Sequence, residues 1–222
     1  KADASTNYLT KKDEFIRKCL KALTAIDEYN KKVSLKDVNS RINDAYAILS
    51  EDYARGKRLY VIQFDKEDKY GMVSYLQSQY DDLYTRFSQD NTIASYKASG
   101  LTDEEIAEKI ILKIRESNST GQSKINTLSF AKAILDYSSK VRDNDSIELT
   151  KSYPFLIDSP FTELSQGNLE MSARNIHTFS EQIILMISDI SLASVDNIIR
   201  PFIAKTYTLT KKVGESNSSL IR

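Results

Sequence analysis

The segment YPFLIDSPF, residues 153–161, carries large apolar side chains up to an acidic residue and then breaks with proline. Such a run predicts a buried β-strand, with Asp158 at its carboxyl end. Ligands of open α/β sheets bind at that edge. A carboxylate placed there can hold magnesium through water and phosphate oxygens. The alternative is a strand-terminating aspartate that makes only a local turn hydrogen bond.

A second candidate is NSTGQ, residues 118–122, which stands immediately before a predicted helix. The first turn of a helix offers free backbone N–H groups and a partial positive charge, which suit phosphate. Gly121 would permit close approach of the backbone, and the hydroxyl of Ser119 would add a donor. The alternative is an ordinary helix N-cap.

The third candidate is EQIILMISD, residues 181–189, a second apolar run that ends on Ser188 and Asp189. A polar, helix-compatible stretch over 165–178 separates it from the first run. Strand–helix–strand order with continuously apolar strands predicts a partly parallel sheet that is covered on both faces. Plain sheet core with a polar exit is the alternative for this segment.

Most of the first half is predicted to be helical, because apolar residues recur there every three or four positions. A first stripe over residues 10–30 would bury Cys19, and a second helix follows Ser34. A short strand is predicted at residues 58–65 and a late strand at 205–212. A third helical stripe is formed by Met72, Leu76, Tyr80, Leu83 and Phe87. Thr102 and Glu105 form a capping-box pattern that opens a further helix.

Composition excludes several classes of function. The 222 residues include 31 basic and 31 acidic ones, so the net charge gives no indication of nucleic-acid binding. One cysteine permits neither an internal disulfide nor a CxxC zinc pair. There is no apolar run of the roughly 18 residues that a membrane span needs, and no hydrophobic leader. We therefore expect a soluble, cytoplasmic protein without membrane contact, and the missing initial methionine indicates a fragment or processed chain.

The order of the three segments resembles the C-terminal half of an ABC-type ATPase head of the SMC and DNA double-strand-break-repair class. NSTGQ is similar to the signature loop, usually written LSGGQ. The matching positions are Asn118, Ser119, Thr120, Gly121 and Gln122. The resemblance implies that residues 119–122 contact the γ-phosphate of ATP held by an opposite head.

The acidic segment fits the same pattern. YPFLID resembles the Walker B strand, with Asp158 as its magnesium-orienting catalytic residue. SPFTELS resembles the D-loop, which contributes Ser159, Pro160, Phe161 and Ser165. QIILMIS is similar to the strand before the switch position. The resemblance covers roughly residues 117–222 and is nearest to bacterial SMC-like ATPases associated with DNA phosphorothioation and phage defence.

The family resemblance implies an α/β fold: the C-terminal lobe of an ABC ATPase head over residues 55–222, with residues 1–54 as a helical segment at the end of a coiled coil. A P-loop is absent, since Gly56–Lys57 is the only Gly-Lys pair and lacks the rest of the pattern.

The implied cofactors are ATP and Mg2+. The implied partners are an N-terminal Walker A lobe of the same protein, a second head in a homodimer, DNA, and a nuclease or other effector protein.

Departures from the family pattern concern hydrolysis. Ser159 occupies the position of the glutamate that polarises the attacking water, and Glu163 is near it at a different spacing. Ser165 replaces the D-loop aspartate. The only histidine, His177, precedes the switch position by some ten residues and is expected on a surface helix. ATP-driven head pairing is therefore predicted more strongly than efficient hydrolysis, and the isolated chain should be inactive.

Two other functions stay open at this point. A non-enzymatic α-helical protein-interaction module would explain the helical first half and the missing P-loop, although it explains the paired apolar strands poorly. A different phosphate-binding α/β enzyme could use Asp158 as a metal ligand, but no nucleophile–base pair accompanies it. The predicted helix over residues 101–114 has no counterpart in the resemblance.

Overall fold

The computed structural model describes residues 2–64, 69–144, 154–210 and 220–221. Within these ranges the chain is an α/β protein dominated by helices, with three two-stranded sheets. The helices are α1 (Ala2–Leu49), α2 (Gln77–Gln89), α3 (Thr92–Ala98), α4 (Asp103–Ile114), α5 (Thr120–Asn144), α6 (Gln166–Asn175) and α7 (Asp189–Ile199). The strands are β1 (Lys57–Phe64), β2 (Lys69–Leu76), β3 (Phe155–Asp158), β4 (Ile183–Met186), β5 (Leu209–Thr210) and β6 (Leu220–Ile221).

The first helix, α1, is continuous over 48 residues. The prediction of two separate helices was wrong, because no glycine or proline interrupts the backbone near Ser34. Instead of opening a second helix, the Ser34 hydroxyl shares a hydrogen bond of 2.9 Å with the Tyr137 hydroxyl of α5. At the boundary predicted between residues 54 and 55, α1 has already ended and a short 3-10 turn, Glu51–Tyr53, follows it.

The two ends of α1 lie in different environments. Its C-terminal part is buried in the main core, through Val38, Ile42, Ala45, Tyr46 and Leu49. The apolar residues between positions 16 and 33 are exposed, with Leu20 at 59% and Leu23 at 63%. Cys19 is exposed as well, so the prediction of a buried thiol was wrong. The stripe predicted from the sequence exists, but nothing in the described ranges of this chain covers it.

An antiparallel hairpin follows, with β1 paired along its whole length to β2. The strand predicted at residues 58–65 is confirmed within one residue at each end. The prediction of the third helical stripe was wrong at its start, since Met72 and Leu76 belong to β2 and the helix begins at Gln77. Residues four apart share a face in a strand as well as in a helix, so this spacing did not distinguish the two.

Helices α2, α3 and α4 form a small helical unit between the hairpin and residue 118. They share a hydrophobic cluster built on Ile93, Ile106 and Ile110. The capping box is confirmed: the N–H of Glu105 donates to the Thr102 hydroxyl at 3.3 Å, and the N–H of Thr102 donates to the Glu105 carboxylate at 2.9 Å. The helix predicted over residues 101–114 is therefore real.

The main core joins α1, α5, α6 and α7 to one face of a parallel strand pair. Strands β3 and β4 pair in parallel, with Asp158 opposite Met186. Both predicted strands and their parallel order are thus confirmed. The prediction that both faces are covered was wrong, because Leu156 and Ile184 are 56% and 45% exposed on the second face.

The end of the described chain follows the prediction in part. Helix α7 ends at Ile199, two residues before Pro201, which lacks the N–H that would continue the helix. Of the strand predicted at residues 205–212, the described residues show Leu209–Thr210 as a strand, which pairs with Leu220–Ile221. Residues 211–219 lie outside the described ranges. No helix within those ranges is long and apolar enough to cross a membrane.

We predict an alkaline-sensitive core at Tyr46, whose side chain is buried in the main core. Burial raises the pKa of Tyr46 to about 12. Since the unfolded chain ionises this group near its ordinary pKa of 10.0, its contribution to stability is complete below pH 10 and is lost towards pH 12. Tyr46→Phe should therefore lose less stability than the wild type between pH 8 and pH 11 in urea titrations. The exposed Tyr84→Phe is the control, and equal losses in wild type and Tyr46→Phe would contradict the prediction.

Candidate functional site

The predicted acidic residue lies where the sequence placed it, at the carboxyl end of β3. Alternation along the strands puts the Asp158 side chain on the same face as Leu156, Ile184 and Met186, which is the exposed face. The Ser159 hydroxyl donates to the Asp158 carboxylate at 2.9 Å. The carboxylate is thus open to solvent on the side that no element within the described ranges covers.

The turn after Asp158 has an unusual backbone. Ser159 and Glu163 have φ angles of 50° and 65°, in the left-handed region that residues other than glycine rarely adopt. Its start is fixed to β4 by the Ser159 N–H, which donates to the Met186 carbonyl at 2.9 Å. Between the two left-handed residues, Pro160 and Phe161 are buried, and Phe161 belongs to the main core. We refer to residues 158–163 as the acidic turn.

The predicted D-loop residues therefore serve different roles. Pro160 and Phe161 are buried and unavailable to a ligand, whereas Ser159 stands beside the Asp158 carboxylate. Ser165 is the N-cap of α6, since its hydroxyl accepts from the N–H of Asn168. Glu163 is exposed and contributes to the site through its main chain.

The predicted phosphate-binding turn is an N-cap, as the alternative interpretation stated. The Ser119 hydroxyl accepts from the N–H of Gln122 at 3.3 Å, and the Gln122 side chain accepts from the N–H of Ser119 at 3.1 Å. This reciprocal pair opens α5 at Thr120. Ser119 and Thr120 remain exposed. A cap of this kind does not exclude an anion, because other N–H groups of the first turn stay free.

The structure brings the acidic turn and the start of α5 into direct contact, although more than thirty residues separate them in sequence. A Cβ atom at Gly121 would lie 2.2 Å from the Glu163 carbonyl oxygen, so only glycine fits here. The ammonium of Lys124 donates to the Ser159 carbonyl at 3.2 Å and to the Thr162 hydroxyl. Candidate phosphate and metal groups thus lie on adjoining elements.

Other elements fix the approach to α5. Lys57 is almost fully buried and pairs with Glu116 at 3.4 Å. The Ser74 hydroxyl of β2 donates to the Asn118 side chain at 2.7 Å, and the Gln122 amide donates to the Asp52 carboxylate at 3.4 Å. These contacts hold the candidate signature turn against the hairpin and the end of α1.

The end of α1 is also joined to α6. The buried Asn168 side-chain oxygen accepts from the Ser50 hydroxyl and from the N–H of Glu51, both at 3.0 Å. Two further side chains of α6 donate to the last carbonyl groups of α1, namely Ser172 to Leu49 and Asn175 to Ile48. Helix α1 therefore ends in contact with α6, the helix that follows the acidic turn.

Sequence reasoning missed Lys124, Asp52 and Asn168. Lys124 stands two residues after Gln122, so the sequence was sufficient to place it on the first turns of α5. The sequence did not indicate which residues its ammonium group contacts. Asp52 contacts a residue 70 positions away, and Asn168 contacts one more than 110 positions away. No local sequence pattern predicts such contacts.

The residues that the structure describes do not by themselves form a complete metal site. The described residues include no group of three or more histidine, cysteine or acidic side chains that could hold a metal ion. Asp158 and the Ser159 hydroxyl are the oxygen donors at the end of β3. This incomplete set suits Mg2+, which commonly takes one or two carboxylates together with substrate phosphates and water. His177 is exposed in a 3-10 turn, as expected for a surface residue, and stacks on Phe202 with ring centroids 3.8 Å apart.

No protein-family model matches this chain, and no curated protein matches it either.

Proposed function

We propose that this chain is the C-terminal lobe of an SMC-like ABC-type ATPase head, which pairs with a second head around ATP. The contact between the start of α5 and the acidic turn carries the proposal. Gly121 and Lys124 contact Glu163 and Ser159, so the start of α5 with the candidate signature loop adjoins the acidic turn, which begins at the candidate Walker B aspartate.

The open face of the strand pair supports a lobe that another lobe completes. Parallel strands are normally covered on both faces, and isolated two-stranded sheets are marginal in water. Here Leu156, Ile184 and Met186 are exposed beside Asp158. An N-terminal lobe that carries the missing P-loop would cover these side chains and extend the sheet. The phosphates of the ATP bound to that P-loop would then lie near the Asp158 carboxylate.

The exposed half of α1 supports an arm that leaves the head. At about 1.5 Å per residue, a helix of this length spans about 72 Å. Its exposed apolar stripe, residues 16–33, needs a partner, and a second helix of a coiled coil has the matching periodicity. The same stripe would serve an α-helical protein-interaction module, which remains the second candidate.

Each site residue has a distinct role in the proposed head. Asp158 orients Mg2+ on the nucleotide of its own head, and bound magnesium neutralises charge on the phosphates. Ser119, Thr120 and the first turn of α5 meet the γ-phosphate held by the opposite head. Both sets are exposed, as such contacts require.

Hydrolysis is proposed to be slow. Ser159 stands where a water-polarising glutamate is expected, and its hydroxyl donates to Asp158 instead of acting as a base. ATP binding would then favour long-lived pairing of heads in a cytoplasmic protein. The arms would transmit opening and closing to DNA and to a nuclease or other effector.

We expect Asp158→Ala to abolish magnesium-dependent ATP hydrolysis in the intact protein that joins this lobe to a P-loop lobe. The reason is that the variant loses the carboxylate that orients the ion, a loss of at least about a hundredfold in kcat. Phosphate release measured with and without Mg2+ tests this, with the exposed Asp82→Ala as control. The chain alone should show no turnover. If Asp158→Ala hydrolysed ATP at the wild-type rate, or if the isolated chain were active, the assignment would fail.

A further inference from the structure

Lys124 occupies a place in the site that the proposed function does not explain. It lies on the first turns of α5, partly buried, and its ammonium group points at the acidic turn rather than at solvent. It donates to the Ser159 carbonyl at 3.2 Å and to the Thr162 hydroxyl, which itself donates to the Ser159 carbonyl at 3.1 Å. Lysine, serine and threonine thus form a closed polar network.

The backbone that this network holds is a costly one. Left-handed residues other than glycine are energetically unfavourable and persist only where the surroundings enforce them. Ser159 and Glu163 are two such residues within five positions. Lys124 is bonded inside this interval, and Gly121 fits closely against the carbonyl at its end. The orientation of the adjacent Asp158 carboxylate, bonded to the Ser159 hydroxyl, depends on this turn.

We propose that Lys124 is a positioning residue that joins the acidic turn to the start of α5, so that the two sets of nucleotide-contacting groups keep a fixed geometry. This inference rests on the proposed function. Lys124 does not itself reach the nucleotide, because its ammonium is engaged by the turn. Through Lys124, contact of the α5 N-terminus with the nucleotide of the opposite head would change the position of Asp158 in the same lobe. Asp158 serves the nucleotide of its own head.

The first arm of the test measures hydrogen exchange in the 222-residue chain and needs no nucleotide. Lys124→Met keeps the length of the side chain but removes the donors. Amide exchange at Ser159, whose N–H donates to the Met186 carbonyl, should become about tenfold faster or more, since the turn opens locally. The matched control, Lys109→Met on the exposed face of α4, should leave it unchanged. Unchanged exchange in Lys124→Met would overturn the proposal.

The second arm uses steady-state kinetics of the intact protein. Lys124→Met should lower kcat for ATP about tenfold or more with little change in KM, because it misplaces a group without removing a binding contact. Lys124→Arg should restore most of the rate, since a guanidinium also donates to two oxygens. A wild-type kcat in Lys124→Met, or no rescue by arginine, would overturn the inference.

The two arms separate the inference from its premise. If Asp158→Ala retains wild-type hydrolysis, the proposed function fails, while the exchange arm still decides whether Lys124 holds the turn. If Asp158→Ala is inactive but Lys124→Met changes neither exchange nor kcat, only the role of Lys124 is overturned.

Discussion

Replacing Gly121 by alanine is expected to destabilise the protein by about 2 kcal/mol, although the same change inside a helix usually stabilises by up to about 1 kcal/mol. The new methyl group would lie 2.2 Å from the Glu163 carbonyl oxygen. That oxygen belongs to the backbone, so the clash cannot be relieved by a rotamer change. Either α5 or the acidic turn must move.

Neither element moves freely. The start of α5 is bonded to Asp52 and Ser74, and the acidic turn carries the buried Phe161 into the main core. Urea titration of the chain measures the change, with Ser123→Ala as control, because Ser123 is exposed two residues further along the same helix. A Gly121→Ala variant as stable as the wild type, or more so, would show that the acidic turn does not pack closely against α5 at Gly121.

Local patterns predicted much of the fold. The capping box at Thr102 and Glu105 depends on residues three positions apart, and it forms as predicted. Strands β3 and β4 were predicted because each is a short apolar run bounded by polar residues, and their parallel order follows from the helix between them. The position of Asp158 at the strand end needs no more information than this.

Other features depend on what surrounds an element, which a local pattern does not contain. The apolar stripe of α1 predicted burial for Cys19, yet no described element reaches that part of the helix. Likewise, the apolar character of β3 predicted cover on both faces, and Leu156 is exposed. In the proposed head both surfaces would meet another polypeptide segment, which would reconcile their composition with their exposure.

The candidate site was predicted only as separate pieces. The sequence placed Ser119, Gly121 and Asp158 on their elements, but it could not indicate that the two motifs touch. The contacts through Lys124 and Asn168 depend on how α5 and α6 pack against the rest of the chain. Such packing is fixed by the main core and not by the residues of the motifs.

Complementation between two inactive variants is expected to restore ATP hydrolysis. Ser119→Arg should block the α5 N-terminus of one head, and Asp158→Ala should remove the metal-side carboxylate of another. Each variant alone lacks one half of every site. In a mixed pair, one site combines the intact Asp158 of the first subunit with the intact Ser119 of the second.

The most direct test of a site shared between heads is therefore the ATPase rate of the two intact variant proteins, measured separately and after subunit exchange in an equimolar mixture. Thr127→Arg, an exposed position further along α5, replaces Ser119→Arg as the control and should be active alone. We predict two inactive proteins and a mixture that regains about a quarter of the wild-type rate, because half the pairs are mixed and each has one complete site. A mixture that stays as inactive as its components after subunit exchange would contradict the account.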